Sequence, residues 1–151
     1  DADSIRWLNS VAIVIQQAHR DLEPLLRNQL KAYDVTVTTD PALAQYWLII
    51  ENENLQQNIS SISSSTTPRQ YELTYILEFK LQRANGAEII PLSQVVITRQ
   101  ITLNSDRILG SKDEADQQKS EMRQDAIIQI MSRLSHAAPN NNMLKNTKTH
   151  H

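Results

Sequence analysis

The chain reads as an α+β domain, a four-stranded mixed β-sheet with two α-helices packed on one face, and three observations predict it. Residues 69–103, RQYELTYILEFKLQRANGAEIIPLSQVVITRQITL, alternate apolar and polar side chains around a central turn, the pattern of one long half-buried hairpin. Upstream, an apolar run at 10–17, a helical stripe at 22–33 and a second apolar run at 46–50 follow one another as in a crossover between parallel strands. Downstream of the hairpin a second helical stripe closes the pattern.

In the hairpin, Tyr71, Leu73, Tyr75, Leu77, Phe79 and Leu81 share one face, and Glu72, Thr74, Glu78 and Lys80 share the other. Ala84-Asn85-Gly86 fits a three-residue loop, a type I turn followed by a glycine at positive φ. Carried outward, that loop places Tyr75 opposite Val95, Leu73 opposite Ile97, Tyr71 opposite Arg99 and Arg69 opposite Ile101. The apolar row of the return strand is then Val95, Ile97, Ile101 and Leu103. Pro91 cannot donate to a ladder, so the return strand is expected either to lie at the sheet edge there or to begin in earnest after it. Arg99 breaks the row; it reads as a guanidinium stacked on Tyr71 or an inward charge blunting the edge, with a ligand or partner role as the alternative.

Val11, Ala12, Ile13, Val14 and Ile15 form a β-branched run, the first strand. Asp21 is a candidate N-cap and Pro24 is tolerated in a first turn, so a helix is expected from about Leu22 to Tyr33, burying Leu22, Leu25, Leu26, Leu30 and Tyr33. Val35 and Val37 continue extended, Asp40-Pro41 turns the chain, and Tyr46 to Ile50 is the next strand. Residues 51–68 are rich in Asn, Gln and Ser and fit either a strand projecting past the core or a loop. Ser111 with Glu114 is a capping box for a helix to about Ser135, whose later turns carry Met122, Ala126, Ile127, Ile130, Met131 and Leu134. The domain is expected to span 1–138, with 139–151 a disordered tail.

With 151 residues there is room for one domain with a real core, and a formal net charge of -2 argues against a generally basic nucleic-acid binder. The absence of cysteine excludes a disulfide framework, a thiolate metal site and a cysteine nucleophile. No apolar run approaches the roughly 20 residues that span a bilayer. The opening at Asp1 reads as a mature or trimmed N-terminus. No cofactor is implied, since two glycines cannot build a phosphate-cradling loop and no histidine pair has zinc-site spacing. His150 and His151 are given no metal role. Ser10, His19 and Asp21 lie close in sequence without a nucleophile elbow, so catalysis is disfavoured. Arg69, Arg99, Arg107 and Lys112 gather near the hairpin end that leads into the last helix, where they could meet a phosphorylated ligand. The sheet face bearing Thr74, Thr98 and Gln100 is polar but lightly charged, as suits solvent or a wet interface with a polar partner.

Several short matches, in order, resemble the LPS-assembly lipoprotein family of Gram-negative outer membranes: Arg27-Asn28-Gln29-Leu30, Ala44-x-Tyr46-x-Leu48, Tyr71-x-Leu73, Pro91-Leu92-Ser93 and Val96-x-x-Arg99. Asn104, Glu121-Met122 and Ala126-x-x-Gln129-Ile130-x-x-Arg133-Leu134 extend the resemblance over Val11 to Leu134. It implies a non-enzymatic lipoprotein, anchored in the outer membrane by an N-terminal lipid and facing the periplasm, that binds lipopolysaccharide and plugs its β-barrel translocon. In such proteins, cations near the tip before the second hairpin strand and before the last helix contact lipopolysaccharide. Lys112 matches the latter approximately; Ser63 to Ser65 supply no cation at the former. The ligand set expected for phosphate and sugar is Lys112, Arg107, Arg99 and Arg69, and the barrel contacts are Thr74, Thr98 and Gln100. An auxiliary periplasmic lipoprotein of an ABC-type lipid transporter is the alternative, and a small hydrolase using His19 a more distant one.

Overall fold

The computed structural model describes residues 5–61, 69–103 and 112–138. In chain order the elements are β1 (Ser10–Gln17), α1 (Leu22–Ala32), β2 (Thr36–Val37), β3 (Tyr46–Ser61), β4 (Arg69–Arg83), β5 (Glu88–Leu103) and α2 (Lys112–His136). The sheet has five strands in the order β2-β1-β3-β4-β5, one more than the sequence predicts. β1 runs parallel to both β2 and β3, while β3, β4 and β5 form an antiparallel meander.

The additional strand follows from how α1 ends. Asp34 adopts φ 64°, and the Val35 and Asp34 amides donate back to the carbonyls of Leu30 and Lys31 at 3.0 Å. This is a Schellman closure with aspartate in the place usually taken by glycine, and it stacks buried Val35 on buried Leu30. The chain leaves the turn alongside β1, where the Thr36 amide bonds Asn9 O at 3.0 Å and that of Thr38 bonds Val11 O at 2.9 Å. Two paired residues are too few to show as an alternation, so sequence reveals Val35 and Val37 only as extended. At the other end of α1, Asp21 holds the cap position but its side chain does not cap; its N–H donates to His19 Nδ1 at 3.1 Å.

The hairpin loop is the three-residue one. Gly86 N–H donates to Arg83 O and Arg83 N–H to Ala87 O, each at 2.8 Å, with Gly86 at φ 95°. The register expected further along is nevertheless displaced by two, because β5 contains two bulges, between the Phe79 and Leu81 pairs and between the Leu81 and Gln82 pairs. Tyr75 therefore faces Ile97, Leu73 faces Arg99, Tyr71 faces Ile101 and Arg69 faces Leu103. Both extra residues lie on the return strand around Pro91, whose missing donor makes regular pairing costly there. A shift of two restores the side-chain phase, so the apolar row is the expected one.

That row is the centre of the core. Leu73, Tyr75, Leu77, Phe79 and Leu81 are buried, with Leu48, Ile50, Val95 and Ile97 beside them. Leu22, Leu26 and Leu30 of α1 and Met122, Ala126, Ile127, Ile130 and Leu134 of α2 close over it. Both helices lie on this face, and Trp7 Nε1 donates to Leu134 O at 3.1 Å, tying the start of the described chain to the end of α2. Residues 51–61 are strand, the projecting alternative; 62–68, the Ser111 capping box and the tail lie outside the described residues.

A Cβ at Gly86 meets nothing within 4 Å, so an alanine there is penalised by backbone conformation alone. Gly86→Ala is expected to destabilise the fold by about 1 kcal/mol, and Gly86→Asn by less, measured by urea denaturation.

Candidate functional site

Two features lie beyond the ordinary core: a buried ionic cluster on the helical face and an open polar face on the reverse of the sheet. The cluster begins with a parity change in β3. Tyr46, Leu48 and Ile50 point into the core, but the register against β4 slips between Ile50 and Asn52, leaving Glu51 as an extra residue. From there inward positions become Glu53, Leu55, Gln57 and Ile59, opposite Leu77, Tyr75, Leu73 and Tyr71.

Glu53 is thus turned beneath the helices, its side chain 3% exposed. Arg123 of α2 meets it with Nε 2.6 Å from Oε2 and Nη2 3.3 Å from Oε1. The Tyr75 hydroxyl donates to Oε2, and the His19 N–H donates to Oε1 at 3.0 Å. Burial alone would push the Glu53 carboxyl up; the bonds from Arg123, Tyr75 and His19 outweigh it and hold it below the usual carboxylate range. For Tyr75, burial and then the bond to Glu53 push the phenol far above its ordinary range, so it remains a donor. Above Arg123 a cavity of about 530 Å³ opens between the start of α1 and the early turns of α2, walled by Asp21, Leu25, Asp116 and Lys119.

Arg99 is on the helical face, as its place in the apolar row implies, but it does not stack on Tyr71. Its Nη1 contacts Glu121 Oε1 at 2.5 Å and its Nη2 contacts Asp125 Oδ2 at 2.9 Å. The bond to Glu121, followed by that to Asp125, raises the guanidinium pKa, and the same pairing lowers that of Glu121. Arg99 thereby fastens α2 to β5. Arg69 opens β4 opposite Leu103, the last residue of β5, and Lys112 opens α2 nine positions further on, so topology brings these positions to one end; Arg107 lies outside the described residues.

On the reverse face Thr74 and Thr98 are direct cross-strand neighbours, with Gln56 on the other side of Thr74. The adjoining row is Asn58, Glu72 and Gln100. Thr98 and Gln100 are exposed and Thr74 is half-buried. The three expected contacts thus form one patch, away from both helices.

Sequence reasoning missed Glu53, Tyr75 and Arg123 as a unit, although two signals were present. Apolar positions in β3 switch from even to odd numbers between Ile50 and Leu55, the mark of a bulge, and Arg123 interrupts the apolar stripe of α2. The Ser10, His19 and Asp21 group does not assemble: Ser10 and His19 lie at opposite ends of β1, on the order of 25 Å apart for an extended strand. Ser10 Oγ instead accepts the Gln45 N–H at 3.0 Å. Among the described residues no group of His, Cys, Asp and Glu could hold a metal ion, and no helix is long and apolar enough to cross a membrane.

The fold is thus a helix-backed mixed sheet with a broad polar face on one side and a buried ionic cluster on the other. The family model described as Lipopolysaccharide-assembly (LptE) matches residues 8–134, and the chain belongs to that family. It is therefore a non-enzymatic lipopolysaccharide-assembly lipoprotein of the outer membrane, facing the periplasm and working with a β-barrel partner and lipopolysaccharide. The transporter-auxiliary reading falls with that assignment. Among solved structures, rare lipoprotein B from Shewanella oneidensis is 20% identical, with 89% of this chain and 99% of that one covered at a TM-score of 0.72. The uncharacterized lipoprotein B from Nitrosomonas europaea is also 20% identical, covering 89% and 85% at 0.67. A minor lipoprotein from Acinetobacter baumannii is 16% identical, covering 89% and 95% at 0.58. At these identities the likeness is one of fold. No curated protein matches the chain by sequence.

Removing one member of a buried pair strands the other charge. Arg123→Met is expected to cost about 3–5 kcal/mol, and the double variant Glu53→Met/Arg123→Met distinctly less, so a denaturation double-mutant cycle reports strong coupling. Because Glu53 is depressed in the folded state, its contribution is present above the ordinary carboxylate pKa of about 4.3 and lost as pH falls through the folded value. Denaturation between pH 7 and pH 3 should show a steeper loss for the parent protein than for Glu53→Gln.

Proposed function

We propose that the open face of the sheet is the surface laid against the β-barrel partner, and that the end carrying Arg69, Arg107 and Lys112 receives the phosphate and sugar of lipopolysaccharide. The observation that carries this reading is the cross-strand patch of Gln56, Thr74 and Thr98 beside Asn58, Glu72 and Gln100. The inner wall of a large barrel is polar and wet, and amide and hydroxyl groups exchange water for such a wall without the desolvation cost of buried charges. Five of these six side chains are amides or hydroxyls on strand positions that alternate with the core row, so the contact surface is rigid.

The division of labour between the two regions also has a physical basis. Phosphates demand cations, and the open face offers few; Arg69 opens β4 and Lys112 opens α2, with Arg107 between β5 and α2 in sequence. Arg99 is left out of the ligand set because its guanidinium is engaged by Glu121 and Asp125. The reading thus separates partner binding from ligand binding by position.

A charged pair placed on the patch tests the first half. Thr74→Lys/Thr98→Glu, whose opposite charges face each other across the strands and leave the thermal midpoint little changed, should reduce recovery of the barrel with the affinity-purified lipoprotein by about tenfold, since one desolvated charge outweighs 1.4 kcal/mol. Arg107→Ser/Lys112→Ser should retain the barrel but lower binding to immobilised lipopolysaccharide by about tenfold. Undiminished barrel recovery from the first variant would remove the open face from the contact.

A further inference from the structure

The hairpin loop lies at the far end of β4 and β5 from Arg69 and Leu103, and residues 83–88 are all exposed. Within it Asn85 precedes Gly86, and no other asparagine of the chain is followed by glycine. An asparagine carboxamide and the next backbone nitrogen can close a small ring, a thermal weakness that a side chain on the next residue and a fixed backbone ordinarily suppress. Neither obstacle holds here. Gly86 has no side chain, and a Cβ built on it would meet nothing within 4 Å, so the space around its peptide is open. The bond from Gly86 N–H to Arg83 O, 2.8 Å, must open for the nitrogen to react, and at an exposed turn it opens at far less free energy than the fold.

The carboxamide is also set toward that nitrogen. Asn85 Oδ1 accepts the Ala87 N–H at 2.9 Å, an Asx turn that folds the side chain forward along the Gly86 peptide. The bond draws electron density from Cγ, the atom to be attacked, while among the described residues no hydrogen bond holds Nδ2, the group to leave. Asparagines elsewhere are placed differently. Asn52, Asn54 and Asn58 are ladder residues of β3, each followed by a larger side chain, and Asn9 Nδ2 is bonded to Gln45 Oε1 at 3.3 Å.

We infer that Asn85 is a site of spontaneous deamidation, a covalent modification that the open loop directs to this residue. The Gly86 nitrogen gives up its proton and bonds to Asn85 Cγ; the Cγ–Nδ2 bond breaks, and Nδ2 leaves as ammonia with that proton. Water then opens the cyclic imide. Addition at Cγ breaks the new bond and yields aspartate at position 85 on an unaltered backbone. Addition at the Asn85 main-chain carbonyl breaks the original peptide bond and leaves the chain running through Cβ and Cγ, an isoaspartate.

The two products differ in effect. Aspartate keeps an oxygen for the Ala87 N–H and adds one negative charge to the formal -2. Isoaspartate lengthens the backbone by an atom, so the loop no longer sets both of its 2.8 Å closing bonds, and the Ala84 N–H that donates to Gln45 O at 2.9 Å moves away from the start of β3.

Nothing in this chemistry depends on the barrel or lipopolysaccharide. The folded full chain is incubated at neutral and at mildly alkaline pH, then digested with trypsin beside an unincubated sample. Mass spectrometry follows the peptide 84–99, with fragmentation that separates aspartate from isoaspartate. Both products should accumulate at position 85, faster at the higher pH because the attacking nitrogen must lose a proton, and at least about tenfold faster than at Asn52, Asn54 or Asn58. Gly86→Ala, checked by circular dichroism to be folded, should slow the conversion at least about tenfold, because its Cβ crowds the attacking nitrogen. A peptide 84–99 that stays unmodified in the folded chain overturns the proposal, as does equal conversion of the β3 asparagines or a Gly86→Ala variant that converts at the parent rate.

Discussion

The Glu53 carboxylate is the constraint on which the arrangement of the elements depends. It belongs to β3, yet its bonds come from β4 through Tyr75, from α2 through Arg123 and from the β1–α1 connection through the His19 amide. The apolar core alone would accept α2 at several rotations and offsets, because methionine, alanine and isoleucine slide over a leucine-rich sheet at little cost. A buried guanidinium with one carboxylate partner does not slide. Its net stabilisation is offset by desolvation, so its main contribution is to fix position, and the Glu51 bulge is what makes it possible.

α2 is consequently held in two different ways along its length. Its later turns carry Met131 and Leu134 into the core and have the Trp7 indole bonded to the Leu134 carbonyl. Its earlier turns are attached through Arg99 to Glu121 and Asp125, ion pairs at the solvent boundary whose attraction is screened by salt. The arm of β3, β4 and β5 extends past the region where helices cover it, so the fold separates a packed base from a polar projection. The lightly charged face of that projection carries the amide and hydroxyl patch of Gln56, Thr74 and Thr98.

What sequence made legible follows from the range over which each feature is encoded. The rows of β4, the stripes of both helices and the three-residue loop depend on neighbours a few positions apart, and all were readable. β2 was not, since pairing over Thr36 and Val37 leaves no periodic trace. The hairpin register was displaced because the bulges depend on the local chemistry of Pro91, and the Glu53 to Arg123 pair was missed because its members lie 70 positions apart. The family resemblance stood in large part on buried residues, Leu30, Tyr46, Leu48, Leu73, Met122, Ala126, Ile130 and Leu134, beside exposed ones such as Leu92 and Val96. It was therefore informative about architecture and much less so about contact residues. Of the expected site, Thr74, Thr98 and Gln100 emerged as one patch, whereas Arg99 proved to be a fastening for α2.

The paired bulges of β5 have a bearing on how this chain can change length over evolution. Each bulge alone would rotate every later side chain of the strand to the wrong face; together they cancel. Loss of one residue between Ile89 and Leu92 would therefore turn Val95 and Ile97 outward and Val96 and Thr98 inward, while loss of two would leave the hydrophobic phase intact and only slide the strand along its neighbour. Sequences descending from a common ancestor should differ in this stretch by even numbers of residues, a parity rule imposed by the sheet and absent from the surface turns.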